Sequence, residues 1–205
     1  AEIFGLPRPE MGPNWYRYAT AAIEPGPLRA QGGLRLSCDG GLELIDAAGL
    51  IVVPGWRGMD TPVPEPLIAA LRRAQARGAR LASICSGAFV LAAAGLLDGL
   101  RATTHWRYTE ALAARFPRVT VEPDVLFLDQ GQILTSAGSA AGMDLGLHII
   151  RRDFGAEAAN LVARRLVMPA SRDGGQAQFL LRPVPRDHEG DRLAPVLASL
   201  RDDLQ

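Results

Sequence analysis

Residues 80–95, Arg-Leu-Ala-Ser-Ile-Cys-Ser-Gly-Ala-Phe-Val-Leu-Ala-Ala-Ala-Gly, join a short β-rich apolar run to a helical one through a single cysteine, Cys85. Few chain paths accommodate such a junction. Upstream, residues 50–54 form a continuous apolar run stopped at Pro54-Gly55, as expected of a buried parallel strand. Between the two runs, prolines at 62, 64 and 66 lead into an amphipathic stretch over 67–78 that ends at Gly78, the proline-first and glycine-last signature of a helix. Strand, helix and strand in this order make a β-α-β unit, whose crossover places the strands parallel and next to each other. The expected fold class is therefore α/β: a doubly wound, mostly parallel sheet of flavodoxin-like type with helices on both faces. Residues 50–54 and 80–84 are expected as neighbouring interior strands, with Cys85 at the carboxyl edge, where open α/β sheets bind ligands.

The small residues Ser86, Gly87 and Ala88 allow a sharp turn after Cys85, and the first helical turn leaves N–H groups aimed back at the sulfur. That arrangement favours a thiolate. It is half of a nucleophile elbow, because Ser83 stands where G-x-nucleophile-x-G has its first glycine. Twenty residues on, His105 follows another short strand-like stretch, and a cysteine with a histidine is the minimum pair for thiol chemistry.

Charge and composition narrow the options. The 22 basic and 22 acidic residues cancel, so no excess charge draws the chain to nucleic acid or an anionic membrane. The basic residues are all arginine, which removes lysine Schiff-base chemistry. Two cysteines and three scattered histidines make neither a disulfide framework nor a zinc site, so no metal or cofactor is expected. Cys38 is expected as a small buried filler at a strand end. With no membrane-length apolar run and no leader in the sequence, the expected location is the cytoplasm, with no membrane partner.

Along the rest of the chain, residues 1–9 read as the last turn of a helix, 16–24 as a half-buried strand and 28–37 as a hairpin turning at Gly32-Gly33. The loop after Gly55 carries Trp56 and Arg57, either a ligand wall or the cover of a core edge. A helix over 106–116, a short strand over 119–121 and a hairpin over 125–136 follow. Helices over 140–154 and 156–167 are separated by Gly155. Asp144 and His148 lie one turn apart on the first of these and are expected in a helix surface or a satisfied buried pair.

The Ser83-Ile-Cys-Ser-Gly87 elbow, Ala94-Gly-Leu-Leu-Asp-Gly99, Ala102-Thr-Thr-His-Trp106 and Thr135-Ser-Ala-Gly-Ser-Ala-Ala-Gly-Met-Asp-Leu145 resemble the DJ-1/PfpI (ThiJ, class I glutamine amidotransferase-like) superfamily. Within it they are most similar to the sensor domain that precedes a helix-turn-helix domain in AraC-type transcriptional regulators. The resemblance runs from about residue 1 to about residue 182. It implies a first strand ending near a carboxylate that faces the cysteine; neither is found in this sequence. It also implies that the turn at Thr135-Ser136-Ala137-Gly138 faces the cysteine pocket. Cys85 and His105 are then the candidate reactive pair. Gly55, Trp56, Cys85, Ser86, His105, Ser136, Ala137 and Gly138 are the candidate ligand-binding residues, and Thr104, Ser136 and Asp144 the nearby groups that could orient the histidine.

Two domains are expected: 1–182, and a linker with an amphipathic helix over 183–205. Leu193, Val196, Leu197, Leu200 and Leu204 form that helix's apolar stripe. The function implied is a ligand-sensing and dimerisation domain with a small-molecule effector, forming a homodimer. It would reach DNA only through a C-terminal helix-turn-helix domain outside this chain, and useful turnover is not expected. The alternative is a stand-alone superfamily enzyme, isonitrile hydratase-like or a glyoxalase or deglycase, using Cys85. A glutamine amidotransferase is set aside because the late His188-Glu189 pair lacks the His-x-Glu spacing. The plainest reading is a structural cysteine at a tight turn.

Overall fold

A computed structural model describes residues 1–172 and 174–176. In chain order the strands are β1 (Leu28–Arg29), β2 (Arg35–Leu36), β3 (Leu50–Val53), β4 (Arg80–Ile84), β5 (Arg101–Ala102), β6 (Thr120–Val121), β7 (Phe127–Gln130) and β8 (Ile133–Ser136). The helices are α1 (Glu43–Ala47), α2 (Glu65–Ala76), α3 (Ala88–Ala93), α4 (Thr109–Arg115) and α5 (Ser139–Arg165).

The main sheet has the order β3-β4-β8-β7. Its first three strands are parallel, in register Leu50↔Arg80 and Leu81↔Ile133, while β7 returns antiparallel along β8 from the tight turn at Gly131. Alternation along the strands gives each face its own core. Leu81 and Ile133 pack with Leu67, Leu71, Phe89 and Leu91 of α2 and α3, whereas Ala82 and Leu134 pack with Leu145 and Ile149 of α5. Each fully buried leucine or isoleucine of this kind contributes about 1.5–3 kcal/mol relative to exposure. Pro66 sits in the first turn of α2, and Gly78, at φ 95°, lets the chain turn back into β4.

The doubly wound α/β expectation is met, with three revisions. Residues 50–53 pair only with β4, so among the described residues this strand is an edge and not an interior strand. Its apolar run reflects Ile51 and Val53 facing the α2–α3 core, while Val52 is exposed. Residues 16–24 form no strand beyond one bridge, Ala21 to Gly40, because Tyr16 is drawn away to Asp153 and Thr20 is tied to Asp39. Cys38 is half-buried, not buried. The hairpins at 28–37 and 125–136 form as expected, and Gly155, at φ 88° and ψ 175°, breaks α5 into two helical parts. The linker and apolar stripe of 183–205 lie outside the described residues.

The second part of α5 joins Leu147 and Ile150 of the first part in a second small core. Ala159, Val162 and Ala163 pack there with Ile3, Phe4, Met11 and Trp15 from the start of the chain.

Candidate functional site at the Cys85 elbow

β4 ends at Ile84, and Cys85 takes φ 55°, a left-handed conformation that non-glycine residues rarely adopt. A 3-10 turn over Cys85–Gly87 runs directly into α3. The turn is pressed onto the neighbouring strand: a Cβ at Gly87 would lie 2.3 Å from the Val53 carbonyl oxygen. Only glycine fits there, which explains Gly87 in steric terms. The strained turn is held by the close approach of Gly87 to Val53 and by the Thr104 hydroxyl on the Cys85 carbonyl.

Short hydroxyl side chains fix the surroundings. Ser86 Oγ accepts the Trp56 N–H at 2.9 Å and donates to the Trp56 carbonyl at 3.2 Å, so the loop after β3 is pinned to the elbow, with Gly55 beside the same hydroxyl. The Trp56 ring packs against the core and its Nε1–H donates to the Thr61 carbonyl at 2.8 Å, so the indole covers a core edge while its backbone borders the site. Thr104 Oγ1 donates to the Cys85 carbonyl at 2.7 Å and brings the segment after β5 against the elbow. Ser136 is fully buried and donates to the Ser83 carbonyl at 3.2 Å, and Ala137 is buried with its N–H given to Leu126. These two residues build the floor. Gly138 lies against the His105 ring, with a hypothetical Cβ 3.5 Å from Cδ2.

The structure thus gathers Gly55, Trp56, Cys85, Ser86, Thr104, His105, Ser136 and Gly138 at the carboxyl edge of the sheet. His105 is half-buried between Trp106 and Tyr108, at ring distances of 5.3 and 5.7 Å. Burial, and then the charge of Arg107, push its pKa below the ordinary histidine value, which favours neutral imidazole. Its Nδ1 accepts the Arg107 N–H at 3.3 Å, an arrangement that assigns the neutral ring's proton to Nε2. A triad histidine does the opposite, donating Nδ1–H to an orienting acceptor. The three groups considered for that role are all committed elsewhere: Thr104 to Cys85, Ser136 to Ser83 and Asp144 to Arg172. Asp144 and His148 are likewise not a pair, since His148 Nε2 meets Asp129 at 2.6 Å.

Sequence reasoning did not single out Gln176. Its Nε2 lies within hydrogen-bond distance of Thr103 Oγ1, the Thr104 carbonyl and the Val125 carbonyl at 3.3, 3.0 and 3.1 Å. No local pattern marks it, since its partners sit 51 to 73 residues upstream. Among the described residues no cluster of three histidine, cysteine or acidic groups could hold a metal ion, and no helix is long and apolar enough to cross a membrane.

A thiol at a strained strand-to-helix elbow, on a mostly parallel sheet covered by helices on both faces, defines a class of protein. The model of the DJ-1/PfpI family matches residues 11–152, and the chain belongs to that family. Among curated relatives it is 31% identical over 156 residues to the HTH-type transcriptional regulator GbdR of Pseudomonas aeruginosa, a match covering 76% of this chain and 42% of that protein. It is 34% identical over 141 residues to the isonitrile hydratase of Pseudomonas putida, covering 68% of this chain and 60% of the enzyme. In fold it is similar to the crystal structure of an AraC family transcriptional regulator from Pseudomonas putida, with a TM-score of 0.67 at 24% identity over 77% of this chain and 85% of the other. The chain spans less than half the length of the regulator it matches.

Proposed function

We propose that this chain is the ligand-sensing and dimerisation part of an AraC-type transcriptional regulator. It would act in the cytoplasm on a small-molecule effector seated against Gly55, Trp56, Cys85, Ser86, His105 and Gly138, and reach DNA through a helix-turn-helix domain elsewhere in the protein. One observation carries the reading against catalysis: His105 accepts a backbone N–H at Nδ1, so the ring lacks both an orienting acceptor and a free Nε2 lone pair with which to take the thiol proton. The similarity to GbdR over three quarters of the chain supports the regulatory side.

The alternative, a stand-alone hydrolyase or glyoxalase working through Cys85, is favoured by the elbow itself and by the similarity to isonitrile hydratase. Both readings require an accessible thiol. Under limiting iodoacetamide, mass spectrometry should find Cys85 labelled before Cys38, and the reverse order would make Cys85 structural. The readings separate on turnover of isonitriles and α-oxoaldehydes by the full-length gene product, measured beside its DNA binding and its sedimentation. DNA binding by a dimer without turnover is expected. Robust turnover lost in Cys85→Ala, with no DNA binding, would establish the enzyme instead.

A further inference from the structure

The last described stretch, Arg172 with residues 174–176 (the exit segment), is fastened to the elbow through side chains. Arg172 grips Asp144 of α5 with Nε at 2.9 and 3.1 Å from its two carboxylate oxygens, and with Nη2 as well. Asp144 is 5% exposed, so this ion pair closes over a buried carboxylate. Three residues on, Gly175 rests on the Asp124 backbone so closely that a Cβ would lie 1.9 Å from the Asp124 carbonyl oxygen. Gln176 then inserts its carboxamide, 4% exposed, among Thr103, Thr104 and Val125.

Those contacts form a short chain of hydrogen bonds. Gln176 Nε2 donates to the Thr104 carbonyl, and the same residue's Oγ1 donates to the Cys85 carbonyl. One threonine therefore joins the left-handed residue of the elbow to the exit segment, and the next residue in sequence is His105. The carboxamide has two N–H groups for three acceptors, so its position is shared rather than saturated at each site. The contacts of the Arg172 and Gln176 side chains described above are hydrogen bonds, which water can replace when the segment lifts, whereas an apolar plug would expose uncompensated surface. A segment held by exchangeable hydrogen bonds is of the kind that opens locally.

We infer that Arg172 and residues 174–176 are the output lever of the Cys85 site: occupation of the elbow moves Thr104, loosens Gln176 and releases this stretch, and its release in turn changes access to Cys85. Gln176 and Thr104 are positioning residues in this scheme and touch no ligand. The inference rests on the sensing reading for its purpose, but not for its test. Coupling between two sites is reciprocal at equilibrium, so the lever must be visible from both ends.

The test uses this chain as it stands. Cys85 is carbamidomethylated with iodoacetamide, and amide hydrogen exchange is followed on a peptide spanning 170–176. Exchange there should rise by about threefold or more, with α2 unchanged. From the other end, Gly175→Ala, which wedges the segment off Asp124, and Gln176→Glu, which keeps the shape but loses the N–H donors, should each change the rate of Cys85 labelling by about threefold or more at constant Cys38 labelling. Thr104→Val, lacking the hydroxyl, should abolish the response of 170–176 to Cys85 modification. If that variant fails to fold, the other two decide. A merely structural role for Gln176 would raise exchange through β4, β8 and α5 alike. That result, an unchanged 170–176 peptide after labelling, or a Cys85 that does not react in the folded protein would each overturn the lever. Turnover with intact coupling would sink the sensing reading and leave the lever standing, while DNA binding without coupling would do the reverse.

Discussion

The two ends of the sheet are held by opposite chemistry. At the amino end of the parallel strands the ties are ionic: Arg80 grips Asp153 at 2.8 and 2.6 Å, Tyr16 donates to the same carboxylate, and Arg152 and His148 share Asp129. At the carboxyl end, Ser86, Thr103, Thr104, Thr135 and Ser136 make neutral hydrogen bonds to the backbone around the elbow. Long charged side chains accept adjustment, whereas a hydroxyl bonded to a carbonyl fixes the backbone to a few tenths of an ångström. Among the described residues the charges near the thiol are either paired, Arg57 with Glu24 and Arg172 with Asp144, or carried by Arg107 beside His105, so a ligand there meets mainly a shape and a set of dipoles.

The most disruptive way to break this contrast is Gly87→Ala. The added methyl meets the Val53 carbonyl, which is backbone and cannot turn aside. A loss of about 3 kcal/mol is expected, read as a drop in the urea midpoint. A shift below half of that would mean the elbow and β3 can separate cheaply.

At the ionic end, Asp153→Ala strands a partly buried Arg80 and Tyr16 and should cost about 1–3 kcal/mol. The pH dependence identifies the cause. Burial alone would raise the Asp153 pKa, but the hydrogen bonds from Arg80 and Tyr16 outweigh it and hold the carboxyl below its ordinary 3.8. A carboxyl depressed in the folded state gives stability that is present above the unfolded value and lost as pH falls through the folded one. Denaturation as pH falls through and below 3.8 should therefore be less steep for Asp153→Asn than for the parent chain. Equal slopes would show that the ion pair contributes nothing to acid stability.

The smallest effect sharpens the contrast at the other end. His105 should titrate below 6.5 in a proton NMR series, and Arg107→Ala should move the midpoint upward by removing the second cause of its depression. Because the unfolded ring binds its proton first as pH falls, the folded state loses stability below about 6.5. A midpoint above 6.5 would indicate an unseen carboxylate near the ring.

The elements written in local patterns were legible. The elbow follows from a β-rich run ending in small residues, α2 from its prolines and glycine, and the α5 break from Gly155. Pairing was less so. The alternation in 16–24 describes a segment that could pair, yet a strand exists only where a partner edge is offered, and Tyr16 finds Asp153 instead. The apolar run at 50–53 reports which face is covered and says nothing of how many edges are bonded. At the candidate site, Cys85, Ser86 and His105 are singled out by motif and spacing, and Gly138 by the family resemblance. The use of Ser136 for the floor, the tautomer of His105 and the docking of Gln176 depend on contacts across 53, 2 and 72 residues, two of them far beyond any local window.

Gly155 also has a consequence for the order in which the protein is made. Because the helix on either side of Gly155 packs with residues 3–16, those residues depend on partners made much later: Glu10 bonds Arg165 across 155 positions and Tyr16 bonds Asp153 across 137. At about 5–20 residues per second of synthesis, Phe4, Trp15 and their neighbours spend roughly 8–30 s outside their core. Over that interval the nascent chain carries an exposed aromatic strip, which is buried only once residues 159–163 have been made.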